Sequence, residues 1–181
     1  MLEVVPYWKL FSIPLLFLVP FALKNTKVAA FDPEGLIFAT GINSECIKLY
    51  DLRSYDKGPF SNFHVDASSS TSASATDSQA DWTGLKFSPD GRSILVFTNG
   101  TTIRLIDAFK GHVTHTFGGH ANARGQALEA AFSPDAQYLF SGSTDGKLHC
   151  WHIETGEKMV FTSEKHKGTG TTRLYRFFRR G

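Results

Sequence analysis

The sequence predicts an all-β chain, a partial β-propeller of about three four-stranded blades. Three observations carry that prediction. One five-residue phrase occurs three times, as Phe31-Asp32-Pro33-Glu34-Gly35, Phe87-Ser88-Pro89-Asp90-Gly91 and Phe132-Ser133-Pro134-Asp135-Ala136. A second phrase follows each copy of the first: Ile47-Lys48-Leu49-Tyr50-Asp51, Ile103-Arg104-Leu105-Ile106-Asp107 and Leu148-His149-Cys150-Trp151-His152. The spacing is 45 residues from Phe87 to Phe132 and again from Asp107 to His152. That is the period of a four-stranded propeller blade. From Phe31 to Phe87 the spacing is 56, but 15 of those residues form the run 66–80, DASSSTSASATDSQA, which holds no large apolar side chain.

The chain divides along these repeats. Residues 1–27 stand outside them, and within that stretch residues 10–23 read LFSIPLLFLVPFAL, with Ser12 as the only polar residue. A spanning helix needs about 20 apolar residues, and Pro14 and Pro20 would each remove a helix hydrogen bond. A signal-peptide core has this length, but Glu3 offsets Lys9 in the leader. Two readings stand: a targeting or membrane segment, or an apolar stretch that packs loosely or comes from an alternative exon.

Blade one is expected over residues 28–65, with strands at 28–31, 36–40, 46–50 and 59–65. Residues 66–80 bury too little apolar area to offset the entropy of ordering and are expected to form a disordered surface loop, with a phosphorylated regulatory loop as the alternative. Blade two is expected over 81–120, with strands at 83–87, 93–98, 101–106 and 112–117. Blade three is expected over 121–164, with strands at 128–132, 138–141, 147–151 and 158–161. Each first strand runs into the Phe-x-Pro turn, where Pro presets φ and Gly supplies a left-handed position. The third strands alternate, so Ile47 and Leu49, Ile103 and Leu105, and Leu148 and Cys150 share faces. Lys57-Gly58, Asn99-Gly100, Lys110-Gly111 and Asp145-Gly146 have hairpin-turn chemistry.

Composition narrows the function classes. Apolar residues make up 41% and charged residues 20% of the 181, an ordinary globular balance that excludes wholesale disorder, a collagen-like chain and a multi-span membrane protein. The net charge of +2 gives no global field for gripping nucleic acid. Cys46 and Cys150 are too few for a disulfide framework. The densest metal-ligand cluster is His149-Cys150-Trp151-His152, but on a strand His149 points away from Cys150 and His152. Two converging ligands fall short of the four of a structural zinc site. His112 and His115 lie on opposite faces in the same way. The sequence holds no G-x-S-x-G, no G-x-x-x-x-G-K-[ST] and no H-E-x-x-H. It therefore assigns no catalytic residue, no metal and no cofactor, and the chain is read as a non-enzyme. The tail 165–181 carries Lys165, Lys167, Arg173, Arg176, Arg179 and Arg180 among Tyr175, Phe177 and Phe178, with no acid. Such a tail either grips phosphates and stacks bases or frays.

The repeated phrases resemble the WD-repeat family, and the third unit carries the fullest likeness. Gly119-His120 precedes its first strand, Ser141-Gly142-Ser143-Thr144-Asp145-Gly146 bridges its second and third, and Trp151 ends the third. The resemblance implies that His120, Ser141, Asp145 and Trp151 form a buried hydrogen-bonded set, in which a buried carboxylate needs several donors to stay ionised. His152 stands where the family carries Asp, and Tyr50 and Ile106 stand where it carries Trp. The stretches FDPEGLIFATGINSECIKLYDLRSYDKGPF, WTGLKFSPDG and TNGTTIRLIDAFKG are similar, within that family, to the subunits of COMPASS-type histone-lysine methyltransferase complexes. The likeness runs from Val28 to about Phe161. It implies a non-catalytic nuclear scaffold whose partners are protein subunits of that complex and of a nuclear phosphatase complex linked to transcription termination. Chromatin would be met indirectly, and no small-molecule substrate is implied. A membrane or secretory location would follow only from residues 10–23. Residues 47–53 also resemble the box by which some WD-repeat proteins dock cullin-type ubiquitin ligases. That makes Tyr50, Asp51 and Arg53 candidate docking residues, and a ligase substrate receptor the alternative function. Closed propellers have roughly 4–8 blades, so three blades imply a truncated form.

Overall fold

Repeated turn chemistry yields repeated sheets. The structure, a computed structural model, describes residues 26–65 and 80–162. The apolar run 10–23, residues 66–79 of the Ser/Ala/Thr-rich loop and the basic tail 165–181 lie outside the described residues. Blade one comprises β1 (Thr26–Phe31), β2 (Ile37–Ile42), β3 (Cys46–Asp51) and β4 (Ser61–His64). Blade two comprises β5 (Trp82–Phe87), β6 (Ser93–Thr98), β7 (Thr102–Asp107) and β8 (Val113–Gly118). Blade three comprises β9 (Ala130–Phe132), β10 (Tyr138–Gly142), β11 (Lys147–His152) and β12 (Lys158–Thr162). Each blade is an antiparallel sheet whose strands neighbour one another in chain order. Every strand end falls within two residues of its expected place. A short 3-10 turn at Tyr55–Lys57 is the one element the sequence did not announce. Among the described residues, no helix is long and apolar enough to cross a membrane.

The units share their register as well as their turns. Phe31 pairs with Phe38, Phe87 with Ile94 and Phe132 with Leu139. β1 and β5 also slip register at equivalent places, between Thr26 and Val28 and between Trp82 and Gly84. The first turn of blades two and three is one hydrogen-bonded device used twice. The Ser88 hydroxyl donates to Asp90 and accepts from the Ser93 amide at 2.9 Å. The Ser133 hydroxyl likewise donates to Asp135 and accepts from the Tyr138 amide at 2.9 Å. In blade one Asp32 replaces the serine, and its carboxylate accepts directly from the Leu36 and Ile37 amides at 2.8 Å. Each such carboxylate or hydroxyl satisfies turn amides that the sheet ladder leaves over.

The core lies between the blades. One cluster joins blades one and two, with Ala39, Ile47 and Leu49 facing Leu85, Ile94 and Val96. A second joins blades two and three, with Leu95, Phe97, Ile103 and Leu105 facing Leu139 and Trp151. Alternate residues of β6 therefore serve opposite interfaces, as period-2 side chains must. Two glycines make room for the large rings. A methyl group on Gly41 would come within 2.8 Å of the Trp82 ring, and one on Gly84 within 1.9 Å of the Phe97 ring. The expected shared faces of Ile47 with Leu49 and Ile103 with Leu105 hold in these clusters.

The first turn of blade three is under local strain. Gly35 and Gly91 take φ of 70° and 72°, whereas Ala136 occupies the matching position at φ 57°. A Cβ in the left-handed region costs about 1–2 kcal/mol. Ala136→Gly should therefore raise stability by on the order of 1 kcal/mol, less the added flexibility of the unfolded chain. Urea unfolding of the purified chain should show a higher midpoint at unchanged m-value.

Candidate functional site

The blade two–blade three junction gathers most of the residues expected to act together. β8 ends at Gly118, and Gly119-His120 carries the chain over to the third blade. His120 is buried there. Its ring meets Trp151 edge-on, with centroids 6.1 Å apart, and His149 edge-on at 6.4 Å. His149 stacks on Trp151 at 5.8 Å, because both project from the same face of β11. Phe117 packs against Trp151 from blade two at 6.0 Å. The Lys158 ammonium sits 5.6 Å from the Trp151 ring centroid and donates to the Gly119 carbonyl at 2.8 Å. Trp151 is thus an aromatic hub bridging two blades.

The other two expected members behave differently. Ser141 is buried, and its hydroxyl donates to the neighbouring Gly142 carbonyl at 3.1 Å. Asp145 is not buried. It lies in the β10–β11 turn with its side chain 35% exposed, and the Lys147 ammonium sits 3.3 Å from its carboxylate. A hydrogen bond from Ser143 holds its carboxyl down at about 2, with the Lys147 amide and ammonium adding to the effect. The expected buried carboxylate is therefore a solvated turn carboxylate. The connection between β10 and β11 is the four-residue turn Ser143–Gly146, closed by the Gly146 amide donating to the Ser143 carbonyl at 3.0 Å, and Asp145 sits at its exposed tip.

Asp51 and Arg53 form a pair by themselves. The Arg53 Nε and Nη2 atoms donate to the two Asp51 carboxylate oxygens at 3.2 and 3.1 Å, and the Arg53 amide donates to the first at 2.8 Å. These bonds pull the Asp51 carboxyl below its ordinary range. Tyr50 does not join them on the surface. It is 3% exposed and stacks on Phe38 at 4.9 Å, and burial pushes its hydroxyl up. On a strand, neighbours point to opposite faces, so Tyr50 faces the sheet while Asp51 ends it. The candidate docking surface here reduces to Asp51 and Arg53.

Polar residues that the sequence reading passed over stitch the blades together. The Asn122 amide, buried in the linker before β9, donates to the Asn99 carbonyl at 2.8 Å and the Gly100 carbonyl at 3.1 Å. It also donates to the Gln126 carbonyl at 2.8 Å and accepts from the Gln126 amide at 2.9 Å. Ser44 does the matching work between blades one and two, its hydroxyl accepting from the Trp82 amide at 3.0 Å. Ser143 accepts from the Ala121 amide at 2.9 Å. Lys86 of β5 crosses to blade three, pairing with Glu129 at 2.6 Å and donating to the Ala130 carbonyl at 3.0 Å. The signal for Ser44 and Asn122 is weak, since a polar residue in a turn reads as solvated until its neighbour blade is placed. Among the described residues, no group of three or more His, Cys, Asp or Glu side chains is placed to hold a metal ion.

Comparison with known proteins agrees with this geometry. The family described as WD domain, G-beta repeat matches residues 110–152. That span begins just before β8 and ends with β11, so it contains His120, Ser141, Asp145 and Trp151. The chain belongs to the WD-repeat family. It is 53% identical over 146 residues to WD repeat-containing protein 82 of Drosophila melanogaster, covering 81% of this chain and 43% of that protein. It is 38% identical over 138 residues to Protein ANTHESIS POMOTING FACTOR 1 of Arabidopsis thaliana, covering 76% of this chain and 38% of that one. An uncharacterized WD repeat-containing protein of Schizosaccharomyces pombe is 31% identical over 139 residues, covering 72% and 40%. The chain spans about two fifths of the length of these curated relatives.

Two predictions follow from this WD-repeat junction. Asn122→Ala leaves the Asn99, Gly100 and Gln126 carbonyls short of a donor, which costs about 1–3 kcal/mol. Arg124→Ala, at an exposed position of the same linker, should stay within about 0.5 kcal/mol. Chemical denaturation of the two variants separates them. The second concerns His149, whose buried ring nitrogens have no hydrogen-bond partner. Burial, with Lys158 and Lys147 nearby and Asp145 opposing them, holds its protonation below the ordinary 6.5. The unfolded chain then takes up the proton first, so the stability from neutral His149 is intact above pH 6.5 and is lost as pH falls below it. His120 faces the same ring. The melting temperature should drop on acidification through this range, and His149→Phe should shrink the drop. An unchanged pH profile would count against the assignment.

Proposed function

We propose that the chain is a non-catalytic WD-repeat scaffold of a nuclear, COMPASS-type histone-lysine methyltransferase complex. The single observation that carries this reading is the 53% identity to WD repeat-containing protein 82 across 81% of the chain. WD-repeat proteins act by binding other proteins, and the likeness carries that role to this chain. Its partners are then protein subunits of the methyltransferase complex, and subunits of a nuclear phosphatase complex linked to transcription termination. Chromatin is met through them. The nucleus is the proposed location.

The geometry supports a scaffold role in a simple way. Ser44, Asn122 and Ser143 of the junctions bond the backbone, and the large side chains pack into the inter-blade clusters. Such a framework presents turns at fixed spacing and is itself rigid, which suits simultaneous binding of several partners. The alternative, a substrate receptor of a cullin-type ubiquitin ligase, would use Asp51 and Arg53. There the guanidinium already bonds Asp51 through two nitrogens, so a partner would meet a neutralised pair.

Affinity purification of the tagged chain from nuclear extract tests the proposal. Methyltransferase subunits should be recovered, and Arg53→Ala should leave their recovery unchanged. Recovery of cullin adaptors without any methyltransferase subunit, abolished by Arg53→Ala, would replace this reading by the alternative.

A further inference from the structure

The two ends of the blades differ in a way that neither the family nor the proposed scaffold role requires. One end carries the β2–β3, β6–β7 and β10–β11 turns and the linkers, where Ser44, Asn122 and Ser143 stitch blades together. The opposite rim carries the turns from first to second and from third to fourth strand. The two kinds of turn are held side by side on it, since Leu52 donates to the Leu36 carbonyl and Ala108 to the Arg92 carbonyl, both at 2.9 Å. Blades one and two are joined there as well: a methyl group on Gly91 would sit 3.7 Å from Pro33, and one on Gly111 would strike the Phe63 ring.

This rim collects exposed apolar side chains. Of the eight large hydrophobic residues exposed among the described residues, Phe31, Leu36, Tyr55, Phe60 and Phe109 all belong to the rim of blades one and two. Phe109 is 77% exposed and Phe60 58%. Phe109 does not owe its position to a loose loop. Its amide and that of Lys110 both donate to the Asp107 carboxylate, at 2.9 and 2.7 Å, and Gly111 seats the turn against Phe63 of blade one. Water-exposed apolar side chains gathered on one rim mark an interaction surface.

Charge decides the occupant. On blades one and two the turns of the rim carry Asp32, Glu34, Asp51, Asp56, Asp90 and Asp107, against Arg53, Lys57, Arg92 and Lys110. That is six carboxylates against four cations, and with Arg53 bonded to Asp51 five against three, on a chain whose net charge is +2. Bonds from turn amides or side chains lower the carboxyls of Asp51, Asp90 and Asp107, so they stay ionised. Exposed ring faces attract guanidinium and ammonium groups over their π-clouds, and an acidic surround steers a cationic partner toward them.

We infer that the rim of blades one and two is a docking surface for a basic peptide segment of a partner protein, its apolar residues seated on Phe60 and Phe109 and its Arg or Lys residues over the carboxylates. The surface is independent of which complex the chain serves.

A fluorescein-labelled dodecapeptide of alternating arginine and leucine is the probe, titrated with the full 181-residue chain by fluorescence anisotropy. Saturable binding is expected, weakened at least tenfold by Phe60→Ser combined with Phe109→Ser and weakened by added salt. Glu34→Gln with Asp56→Asn should weaken it severalfold without touching an apolar residue, which keeps the test alive if the phenylalanine variant misfolds by circular dichroism. Equal binding of a glutamate–leucine peptide, or undiminished binding by both variants, would overturn the inference. So would sedimentation showing that the parent chain self-associates through Phe60 and Phe109, or vesicle binding that depends on these residues in the absence of peptide binding.

Discussion

The middle blade has no solvent face, and the rest of the structure depends on that constraint. Along β6 every residue from Ile94 to Thr98 is buried. Ile94 and Val96 close the interface with blade one, and Leu95 and Phe97 close the interface with blade three. A strand that must be apolar on both faces cannot slip by one residue and hide the error, because each side chain is shaped to its own neighbour. Gly84 under Phe97, and Gly41 under Trp82, are the complementary hollows. Blades one and three are thereby positioned against one sheet, and the two interfaces cannot vary independently.

The polar groups divide the remaining work between the two ends of the blades. At one end, Ser44, Asn122 and Ser143 bond across linkers and turns, and Lys86 with Glu129 ties β5 to the entry of β9. The first three bond backbone carbonyls and amides, whereas Lys86 reaches Glu129 and the Ala130 carbonyl with a long side chain. The opposite rim carries turns whose amides are satisfied within each turn by Asp32, Ser88 with Asp90, Asp107 and Ser133 with Asp135. Self-sufficient turns are free to hold unusual residues outward, which is how Phe109 comes to face water.

Much of this was legible in the sequence, and the limits have physical reasons. The Phe-x-Pro-Asp turns and the alternating third strands located all three sheets, because Pro, Gly and period-2 apolarity act locally. The same local logic placed Ala136 at the position that Gly35 and Gly91 fill, where a left-handed backbone is needed. The site was less legible. The resemblance implied a hydrogen-bonded set, whereas the structure brings His120 and Trp151 together as an edge-on ring contact and leaves Asp145 at the exposed tip of the Ser143–Gly146 turn. Tyr50 was a candidate docking residue through the likeness of residues 47–53 to a docking box, yet it is buried and stacks on Phe38. Asn122 and Ser44 gave only a weak signal, since their partners across the blades lie 22 and 38 residues away in sequence. His149 read as ordinary strand packing, and only the placement of Trp151 and Lys158 beside it made its missing hydrogen bonds apparent.

The meander order of each sheet has a consequence for motion. All pairing inside a blade is between consecutive strands, so each sheet can zip from its own turns, and the slow, entropically costly step is bringing separate sheets face to face. An outer blade can come away while the other stays docked, but the amides of β6 and β7 reach water only when both have left. Their protons are the last to exchange with solvent, and they report the opening of the molecule as a whole, whereas those of β12, whose side chains all lie exposed, report only the fraying of a single strand.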